Sequence, residues 1–319
     1  MTVKPNFFIV GAPKCGTTAL SEYLRTHPNV FVPPHKEPGY FSDDVEPSQY
    51  AREEEYLALF AGASPEQKVV TDASTKYLHS QVALQRIKEF QPAAKLLVML
   101  RRPSDLVYAF HSQMLRNGLE SEWDFKKAWS MQAARATGKK LPLGAQKRSA
   151  LLQYKWIGSL GTQVQRVFQL FDRSQVHFIF FDDFVSEPRR EYLGLIDFLR
   201  IPDDGREQFP KANENVRFKS RAIARIPRAI RAALLPQMKA VKKLTGVRKF
   251  GIIQTLDRIN AKPLPRPLMQ QDFQEYLNEL FSDEVRLLED LLERDLSSWR
   301  TVANVRPTLK QHELHVPPH

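Results

Sequence analysis

The chain has 319 residues, of which 42% are hydrophobic, and it carries a formal net charge of +11 at pH 7. This composition is sufficient for the core of one large α/β domain. The sequence contains no run of about 18 apolar residues, so we expect no transmembrane helix. Its N-terminus lacks the pattern of a signal peptide, and its one cysteine excludes an internal disulfide. Both features predict a cytoplasmic protein.

The first motif in the chain is a short apolar strand at Phe7–Val10, followed by a glycine-containing turn and a helix. The turn carries Lys14, and Thr17 and Thr18 open the helix. Backbone N–H groups of such a turn and of the first helical turn point at one spot, where the helix dipole also favours negative charge. The alternative is a strand–turn–helix without a ligand. The combination of residue types favours a site for a phosphate-like anion.

The spacing of this motif argues against an ATPase. Gly11 and Gly16 match the glycines of a Walker A loop, but Thr17 occupies the position of its lysine. A strand predicted at Leu96–Leu100 is followed by Arg101 rather than by the acidic residue that would hold Mg²⁺. The sequence also has no His, Cys and Asp cluster with metal-ligand spacing. We therefore predict an anion site that works without a metal.

Short apolar strand candidates alternate with helical patterns along most of the chain. This alternation predicts an α/β fold with a P-loop-type parallel β-sheet flanked by helices. The predicted strands are Phe7–Val10, Lys68–Val70, Leu96–Leu100 and Val176–Phe181. The predicted helices are Thr17–Thr26, Gln81–Phe90, Pro103–Arg116, Leu151–Phe171 and Asp272–Arg294. Ligands of such sheets bind at the carboxyl ends of the strands, so we expect the site where the first loop and Arg101 follow their strands.

Positive charge is concentrated in residues 211–250. Twelve Lys and Arg residues stand against one Glu there, and 12 − 1 = +11 equals the net charge of the whole chain. Apolar residues at helical spacing predict a basic C-terminal helical region, inserted at about 217–265. This insert belongs to a single predicted domain at 1–300, and a loose tail follows at 301–319.

Three interpretations of the basic insert stay open. It lines a cleft for an anionic acceptor, it contacts an anionic membrane surface, or it is a solvated face of a helical subdomain. Nucleic-acid binding is not predicted, because aromatic residues do not interleave with the charges of this segment.

Several segments match the motifs of one enzyme family. They are Pro13–Leu20, His35–Phe41, Asp72–Leu78, Leu100–Pro103 with Tyr108, Phe181–Phe184 with Pro188, and Leu287–Trp299. On these motifs, the sequence resembles the sulfotransferases that use 3′-phosphoadenosine 5′-phosphosulfate (PAPS), in particular a bacterial branch related to heparan-sulfate sulfotransferases. The resemblance implies an enzyme that transfers a sulfuryl group from PAPS to a hydroxyl of a glycan, lipid or small metabolite. The product would be 3′-phosphoadenosine 5′-phosphate (PAP).

The resemblance also implies which residues bind PAPS. Those of the 5′-phosphosulfate loop are Lys14, Cys15, Gly16, Thr17, Thr18 and Ala19. Arg101, together with Arg102, would bind the 3′-phosphate, and Lys219 or Arg221 would reach the phosphates from a late basic loop. The family usually has a serine at the position of Ala109. We expect Ser112, one helical turn further on, to take part in its place.

For catalysis, the resemblance implies a cation at the leaving phosphate oxygen and a base for the acceptor hydroxyl. We assign these roles to Lys14 and Glu37, with Lys36 orienting the sulfate. His35 is a rival base. His111 is a third candidate and is expected at the surface of its helix.

The acidic residue Asp72 has three predicted roles. It holds the acceptor, it raises the pKa of Glu37, or it caps the next segment of the chain. Two alternative functions also stay open for the protein. One is a nucleotide phosphotransferase on a related fold, which would need Mg²⁺. The other is a family member that binds PAPS without transferring sulfate, suggested by the missing serine at Ala109.

Overall fold

A computed structural model of the protein describes residues 3–35, 37–210, 216–218, 261–263 and 267–301. Within these ranges, one sheet contains five strands: β1 (Phe7–Gly11), β2 (Val30–Phe31), β3 (Val69–Ala73), β4 (Lys95–Leu100) and β5 (Val176–Phe180). Their order across the sheet is β2-β3-β1-β4-β5, and every neighbouring pair is parallel. The prediction of a parallel sheet is confirmed. The strand β2 was not predicted, because two residues are too few to show a periodic pattern.

Helices connect the strands and cover the sheet, which confirms the predicted fold class. Those before β5 are α1 (Thr17–Arg25), α2 (Glu53–Leu57), α3 (Ala83–Phe90), α4 (Pro103–Asn117), α5 (Phe125–Ser130), α6 (Gln132–Ala136), α7 (Tyr154–Gly158) and α8 (Leu160–Leu170). Those after β5 are α9 (Phe181–Ser186), α10 (Pro188–Leu199), α11 (Gln271–Leu280) and α12 (Ser282–Leu292). Short 3₁₀ turns lie at Ala58–Phe60, Leu143–Ala145, Ser149–Leu152, Arg173–Gln175 and Ser297–Trp299.

Two long helices predicted from the sequence are interrupted in the structure. The segment Leu151–Phe171 breaks at Ser159, whose ψ of 63° is not helical, and α8 begins after it. The terminal helix at Asp272–Arg294 is divided at Phe281. Phe281 is 2% exposed, and its ring packs so closely on Gly158 that a Cβ there would come within 2.7 Å of its Cε1. The packing of Phe281 on Gly158 therefore overrides the helical pattern of the sequence in both segments.

The central position of β1 determines where the carboxyl ends of the strands meet. Phe7 of β1 is paired with Thr71 of β3 on one side and with Lys95 of β4 on the other. All residues of β1 and β3 are buried. The segments that follow β1, β3 and β4 therefore leave the core side by side, at one edge of the sheet.

Little of the basic region lies within the described residues. Strand β6 (Val216–Phe218) pairs antiparallel with β7 (Ala261–Pro263), whereas the predicted helices between them and the tail after residue 301 lie outside. None of the helices in the described ranges is both long and apolar enough to cross a membrane. In those same ranges, no three His, Cys, Asp or Glu side chains are grouped as a metal site would require.

The close approach of α8 to α12 gives a first prediction. A Cβ added at Gly161 would overlap the Glu284 carbonyl oxygen and come within 3.0 Å of the Leu287 Cβ. The Glu284 carboxylate also accepts a hydrogen bond from the Thr162 N–H at 2.7 Å, which fixes the pair of helices. Because backbone atoms cannot move aside cheaply, Gly161→Ala is expected to lower the free energy of unfolding by about 1–3 kcal/mol in urea denaturation.

A matched control for this variant is Gly194→Ala in α10. The nearest atom to a Cβ at Gly194 is the His177 Cε1 at 3.7 Å, an ordinary contact. Alanine is the better helix former, so Gly194→Ala should raise the free energy of unfolding by about 0.5–1 kcal/mol. Equal effects of the two substitutions would show that α8 and α12 leave room for a Cβ at Gly161.

Candidate active site at the carboxyl edge of the sheet

The loop between β1 and α1 leaves one of its faces open. Gly16 caps α1 in the left-handed region, with a φ of 91°, which glycine adopts without a steric penalty. Lys14, Gly16 and Thr18 are partly exposed, whereas Cys15 and Thr17 between them are buried. The first N–H groups of a helix have no acceptor within that helix, so a ligand at the N-terminus of α1 can accept from them. This geometry suits a bound anion.

The buried residues of the loop can contribute only backbone groups to such a site. Cys15 is fully buried, and its Sγ lies 3.5 Å from the Pro13 carbonyl oxygen. Burial raises the pKa of the Cys15 thiol to about 12, so the thiol is neutral and unsuited to nucleophilic attack. Thr17 is 4% exposed and Ala19 is 8% exposed. Any contact of these residues with an anion would therefore use their N–H groups.

Arg101 connects the end of β4 to the same loop. Its Nη1 donates a hydrogen bond to the Lys14 carbonyl oxygen at 3.3 Å. Its guanidinium also lies over the Phe181 ring, 4.3 Å from the centroid. These two contacts restrict the guanidinium to a position beside the loop. An anion bound at the loop would thus meet a delocalised cation in addition to the helix N-terminus.

Glu37 lies on the segment after β2 and contacts the end of β3. Its N–H donates a hydrogen bond to the Ala73 carbonyl oxygen at 3.1 Å. Thr75 Oγ1 donates a hydrogen bond to Glu37 Oε1 at 3.3 Å. Because β3 and β1 are hydrogen-bonded neighbours, the segments that follow them lie side by side. The structure therefore brings the Glu37 carboxylate and the loop between β1 and α1 (the anion loop) to the same edge of the sheet.

The other predicted base candidates differ in position. His35 is exposed on the segment that leads to Glu37, and Lys36 lies outside the described residues. His111 was expected at a helix surface, but this prediction is wrong: the side chain is 1% exposed. Its Nε2 is hydrogen-bonded to the Glu122 carbonyl oxygen at 2.8 Å, and burial lowers the pKa of His111. The ring packs on Phe125, so its role is in the core.

Asp72 is a core residue as well. It is 0% exposed and lies within β3, so the predictions that it holds the acceptor or caps the next segment are wrong. Its carboxylate accepts hydrogen bonds from the Tyr56 hydroxyl at 2.7 Å, the Tyr77 hydroxyl at 2.8 Å and the Ser74 hydroxyl at 2.6 Å. Burial raises the pKa of Asp72 to about 6, and the negative charge of Glu37 contributes to the same shift. The predicted effect of Asp72 on Glu37 stays a prediction.

The predicted 3′-phosphate site is spread along α4. Ala109 is 1% exposed, whereas Ser112 is partly exposed and its hydroxyl donates to the Tyr108 carbonyl oxygen at 3.1 Å. At 1.5 Å per residue, Ser112 lies roughly 14 Å along the axis from the start of α4. Its contact with a phosphate stays a prediction.

The other basic residues predicted to bind the phosphates show no described contact with the loop between β1 and α1. Arg102 Nη2 donates a hydrogen bond to the Ser298 carbonyl oxygen at 2.9 Å, which ties the C-terminal segment to the end of β4. Lys219 and Arg221 lie outside the described residues. Arg102 therefore has a structural partner, and the late basic residues stay predictions.

Ser74 and Thr75 are site residues that the sequence analysis did not single out. Ser74 Oγ accepts a hydrogen bond from the Gly39 N–H at 3.0 Å, and Thr75 contacts Glu37 as described. Both follow a buried strand directly. That position is the signal that could have identified them, because polar residues just after a parallel strand lie at the ligand-binding edge.

Comparison with known proteins agrees with this geometry. Residues 4–222 match the sulfotransferase domain family. Heparan sulfate glucosamine 3-O-sulfotransferase 5 of Mus musculus is 26% identical over 200 residues, which cover 62% of this chain and 54% of that protein. Carbohydrate sulfotransferase 15 of Rattus norvegicus is 32% identical over 147 residues, which cover 33% of this chain and 26% of that protein. The chain thus spans about half the length, or less, of these relatives.

A solved structure extends the likeness to nearly the whole chain. The sulfotransferase from Alicyclobacillus acidocaldarius is 27% identical, with a TM-score of 0.67, and the match covers 94% of this chain and 100% of that one. The family match includes β1 to β5, the anion loop, Glu37 and Arg101. The chain therefore belongs to the sulfotransferase domain family, as its motifs predicted.

Proposed function

We propose that the protein is a PAPS-dependent sulfotransferase that transfers a sulfuryl group to an acceptor hydroxyl. The observation that carries this proposal is the shared position of two groups at one sheet edge. One is the anion loop with Arg101 hydrogen-bonded to it, and the other is the Glu37 carboxylate. An anion site beside a general base is the minimum that this reaction requires. Membership of the sulfotransferase family supports the assignment of the reaction.

The residues present suit PAPS as the donor. The open face of the loop offers backbone N–H groups, the Lys14 side chain and the Thr18 side chain to a 5′-phosphosulfate. Arg101 offers a planar guanidinium to a second phosphate. When bound, PAPS supplies a sulfuryl group that is activated by its phosphate leaving group.

The chain's own residues divide the chemistry between them. The Lys14 ammonium stabilises negative charge that develops beside the loop, in a position that the helix N-terminus reinforces. The Thr75 hydroxyl donates a hydrogen bond to Glu37 Oε1, which restricts the carboxylate at the edge of the sheet. Glu37 accepts the proton of the acceptor hydroxyl and thereby makes that oxygen a better nucleophile. Lys36 and Ser112 keep their predicted roles in orienting the donor.

A hydroxyl acceptor follows from this use of Glu37. The relatives are named for action on heparan sulfate glucosamine and on carbohydrates, which favours a glycan hydroxyl. Lipid and small-metabolite hydroxyls are the alternatives, and the basic region at 211–250 would attract an anionic acceptor of any of these classes. A panel of the three classes distinguishes them.

Calorimetric titration of PAP into the protein without Mg²⁺ tests the donor. We expect a dissociation constant on the order of micromolar for the wild type. Lys14→Ala should weaken binding about tenfold or more, because it removes a charge-assisted contact. Lys127→Ala, an exposed lysine of α5, is the matched control and should leave binding unchanged. Absence of PAP binding by the wild type would contradict the proposal, and strict dependence on Mg²⁺ would favour a nucleotide phosphotransferase.

A further inference from the structure

A fully buried carboxylate lies directly behind the segment that carries Glu37. Asp72 Oδ2 accepts the hydroxyls of Tyr56 and Tyr77, and its Oδ1 accepts the hydroxyl of Ser74 at 2.6 Å. Three hydroxyl donors on one carboxylate leave the charge desolvated but hydrogen-bonded. All three donors contact the segment after β2, because Tyr56 stacks on Tyr40 and Tyr77 packs on Phe41. Ser74 differs in that its hydroxyl also accepts a backbone hydrogen bond from that segment.

The hydroxyl of Ser74 has one proton, and Asp72 determines where that proton points. Because the proton is donated to Asp72 Oδ1, the oxygen lone pairs of Ser74 face the other way. One of them accepts the Gly39 N–H at 3.0 Å. A buried N–H without an acceptor is costly, so this hydrogen bond favours one position of the segment. Asp72 and Gly39 are thus connected through a single oriented hydroxyl.

The backbone that this hydroxyl holds is in a sparsely populated conformation. Glu37 has a φ of 59° and Gly39 a φ of 64°, both in the left-handed region. For a residue with a Cβ, such as Glu37, this conformation persists only when surrounding contacts impose it. The Glu37 N–H bond to Ala73 and the Gly39 N–H bond to Ser74 are two such contacts, on either side of Pro38. Loss of either should let the carboxylate move.

We infer that Asp72 is a positioning residue, which holds Glu37 in place for proton transfer through Ser74 and the Gly39 N–H. This inference rests on the proposed function, because it assumes that Glu37 is the base. Asp72, Ser74 and the Gly39 N–H form a clamp at the end of β3. The presence of this clamp can be tested without measuring enzyme activity.

The charge state of Asp72 offers a way to observe the clamp. Burial raises the pKa of Asp72 to about 6, and the charge of Glu37 adds to this shift, whereas the hydroxyls of Ser74, Tyr56 and Tyr77 oppose it. Within the described residues, the charge of Asp72 also raises the pKa of Tyr50. Because the folded pKa is raised, the carboxylate takes up a proton as the pH falls through about 6. A protonated Asp72 carries a proton of its own and no longer requires that of Ser74.

The Gly39 amide resonance should therefore titrate with a midpoint near that pKa, followed by ¹H–¹⁵N NMR between neutral and mildly acidic pH. A titration should also appear in Glu37→Gln, where only Asp72 of these two carboxyls can titrate, with its midpoint at lower pH because the charge of Glu37 no longer raises the Asp72 pKa. The titration should disappear in Ser74→Ala, because this variant removes the hydroxyl that connects Asp72 to the Gly39 N–H. A Gly39 amide chemical shift that does not change with pH in the wild type would overturn the inference. This measurement needs no variant.

Kinetics provide the second test. In Ser74→Ala we expect kcat to fall about tenfold or more, because a displaced base loses its alignment. The dissociation constant for PAP should stay within about twofold, since the anion loop is not altered. Thr71→Val is the matched control: Thr71 is a buried residue of β3, the strand that Ser74 follows, and its hydroxyl has no hydrogen-bond partner among the described residues. Its kcat should equal that of the wild type.

The two measurements separate the clamp from the proposed function. If the Gly39 titration occurs as expected but the wild type neither binds PAP nor transfers sulfate, the clamp exists and the proposed function is wrong. If the wild type is active and Ser74→Ala retains its kcat, the proposed function stands and the inference is overturned. Equal losses of kcat in Ser74→Ala and Thr71→Val would also overturn it, because any buried substitution in β3 or directly after it would then have the same effect.

Discussion

Replacing Glu37 with glutamine is expected to lower the rate of sulfuryl transfer by about 10²–10⁴-fold, because the amide cannot accept the proton of the acceptor hydroxyl. Glutamine has nearly the same shape as glutamate and keeps an oxygen for the Thr75 hydroxyl. PAP affinity should therefore stay within about twofold of the wild type. Transfer of ³⁵S from labelled PAPS to a panel of glycan, lipid and small-molecule hydroxyl acceptors gives the rate, and calorimetry gives the affinity.

Two controls make this result specific. Glu54→Gln removes an exposed carboxylate from α2 and should leave the rate unchanged. His35→Asn removes the rival base and should have a small effect, because the exposed ring is not held at the sheet edge by any described contact. A large loss in His35→Asn together with a small loss in Glu37→Gln would transfer the role of base to His35.

The parts of the site that could be predicted are those that depend on neighbouring residues in the sequence. A buried strand, a glycine-containing turn and two threonines at a helix start are contiguous in the sequence. The anion loop can therefore be predicted from Phe7–Thr18 alone. The position of Arg101 follows equally from the strand that precedes it. The same local logic gave the alternation of strands and helices, and with it the parallel sheet.

The contacts around Glu37 could not be predicted in this way. The Gly39 N–H and Ser74 are 35 residues apart in the sequence, and Thr75 and Glu37 are 38 apart. Such pairs meet because β3 lies beside β2 in the sheet, an order that periodicity does not encode. Asp72 illustrates the consequence, since an acidic residue in a motif was expected to face a ligand and instead accepts core hydroxyls.

Polar residues in the core were misplaced for a related reason. His111, predicted at a helix surface, is buried because the backbone carbonyl of Glu122 satisfies its Nε2 inside the protein. The division of the terminal helix at Phe281 has a similar cause, because the ring packs into the space left by Gly158. In both cases a tertiary partner decided the outcome.

Breaking the buried ion pair between Glu120 and Arg135 should cost about 3–5 kcal/mol of the free energy of unfolding, the largest stability effect that we expect. Arg135 donates from Nη1 to Glu120 Oε2 at 2.6 Å and from Nη2 to Oε1 at 2.7 Å, and the side chains are 1% and 0% exposed. The Tyr154 hydroxyl donates to the same carboxylate at 2.7 Å. Arg135→Met keeps the volume but leaves Glu120 as a buried charge with fewer donors. Urea denaturation at pH 7 measures the loss.

The pH dependence of that loss identifies its cause. Burial alone would raise the pKa of Glu120, but the hydrogen bonds from Arg135, the Glu122 N–H and Tyr154, together with the charge of Arg135, outweigh burial and the pKa is lowered in the wild type. Without Arg135, burial dominates and the folded carboxyl binds a proton more readily than the unfolded one, so the variant should regain stability as the pH falls from 7 toward 5. Lys126→Met provides the matched control, because it breaks an exposed pair with Asp272 and should cost about 1 kcal/mol or less. A loss in Arg135→Met that does not change with pH would mean that packing, rather than the unpaired charge of Glu120, accounts for it.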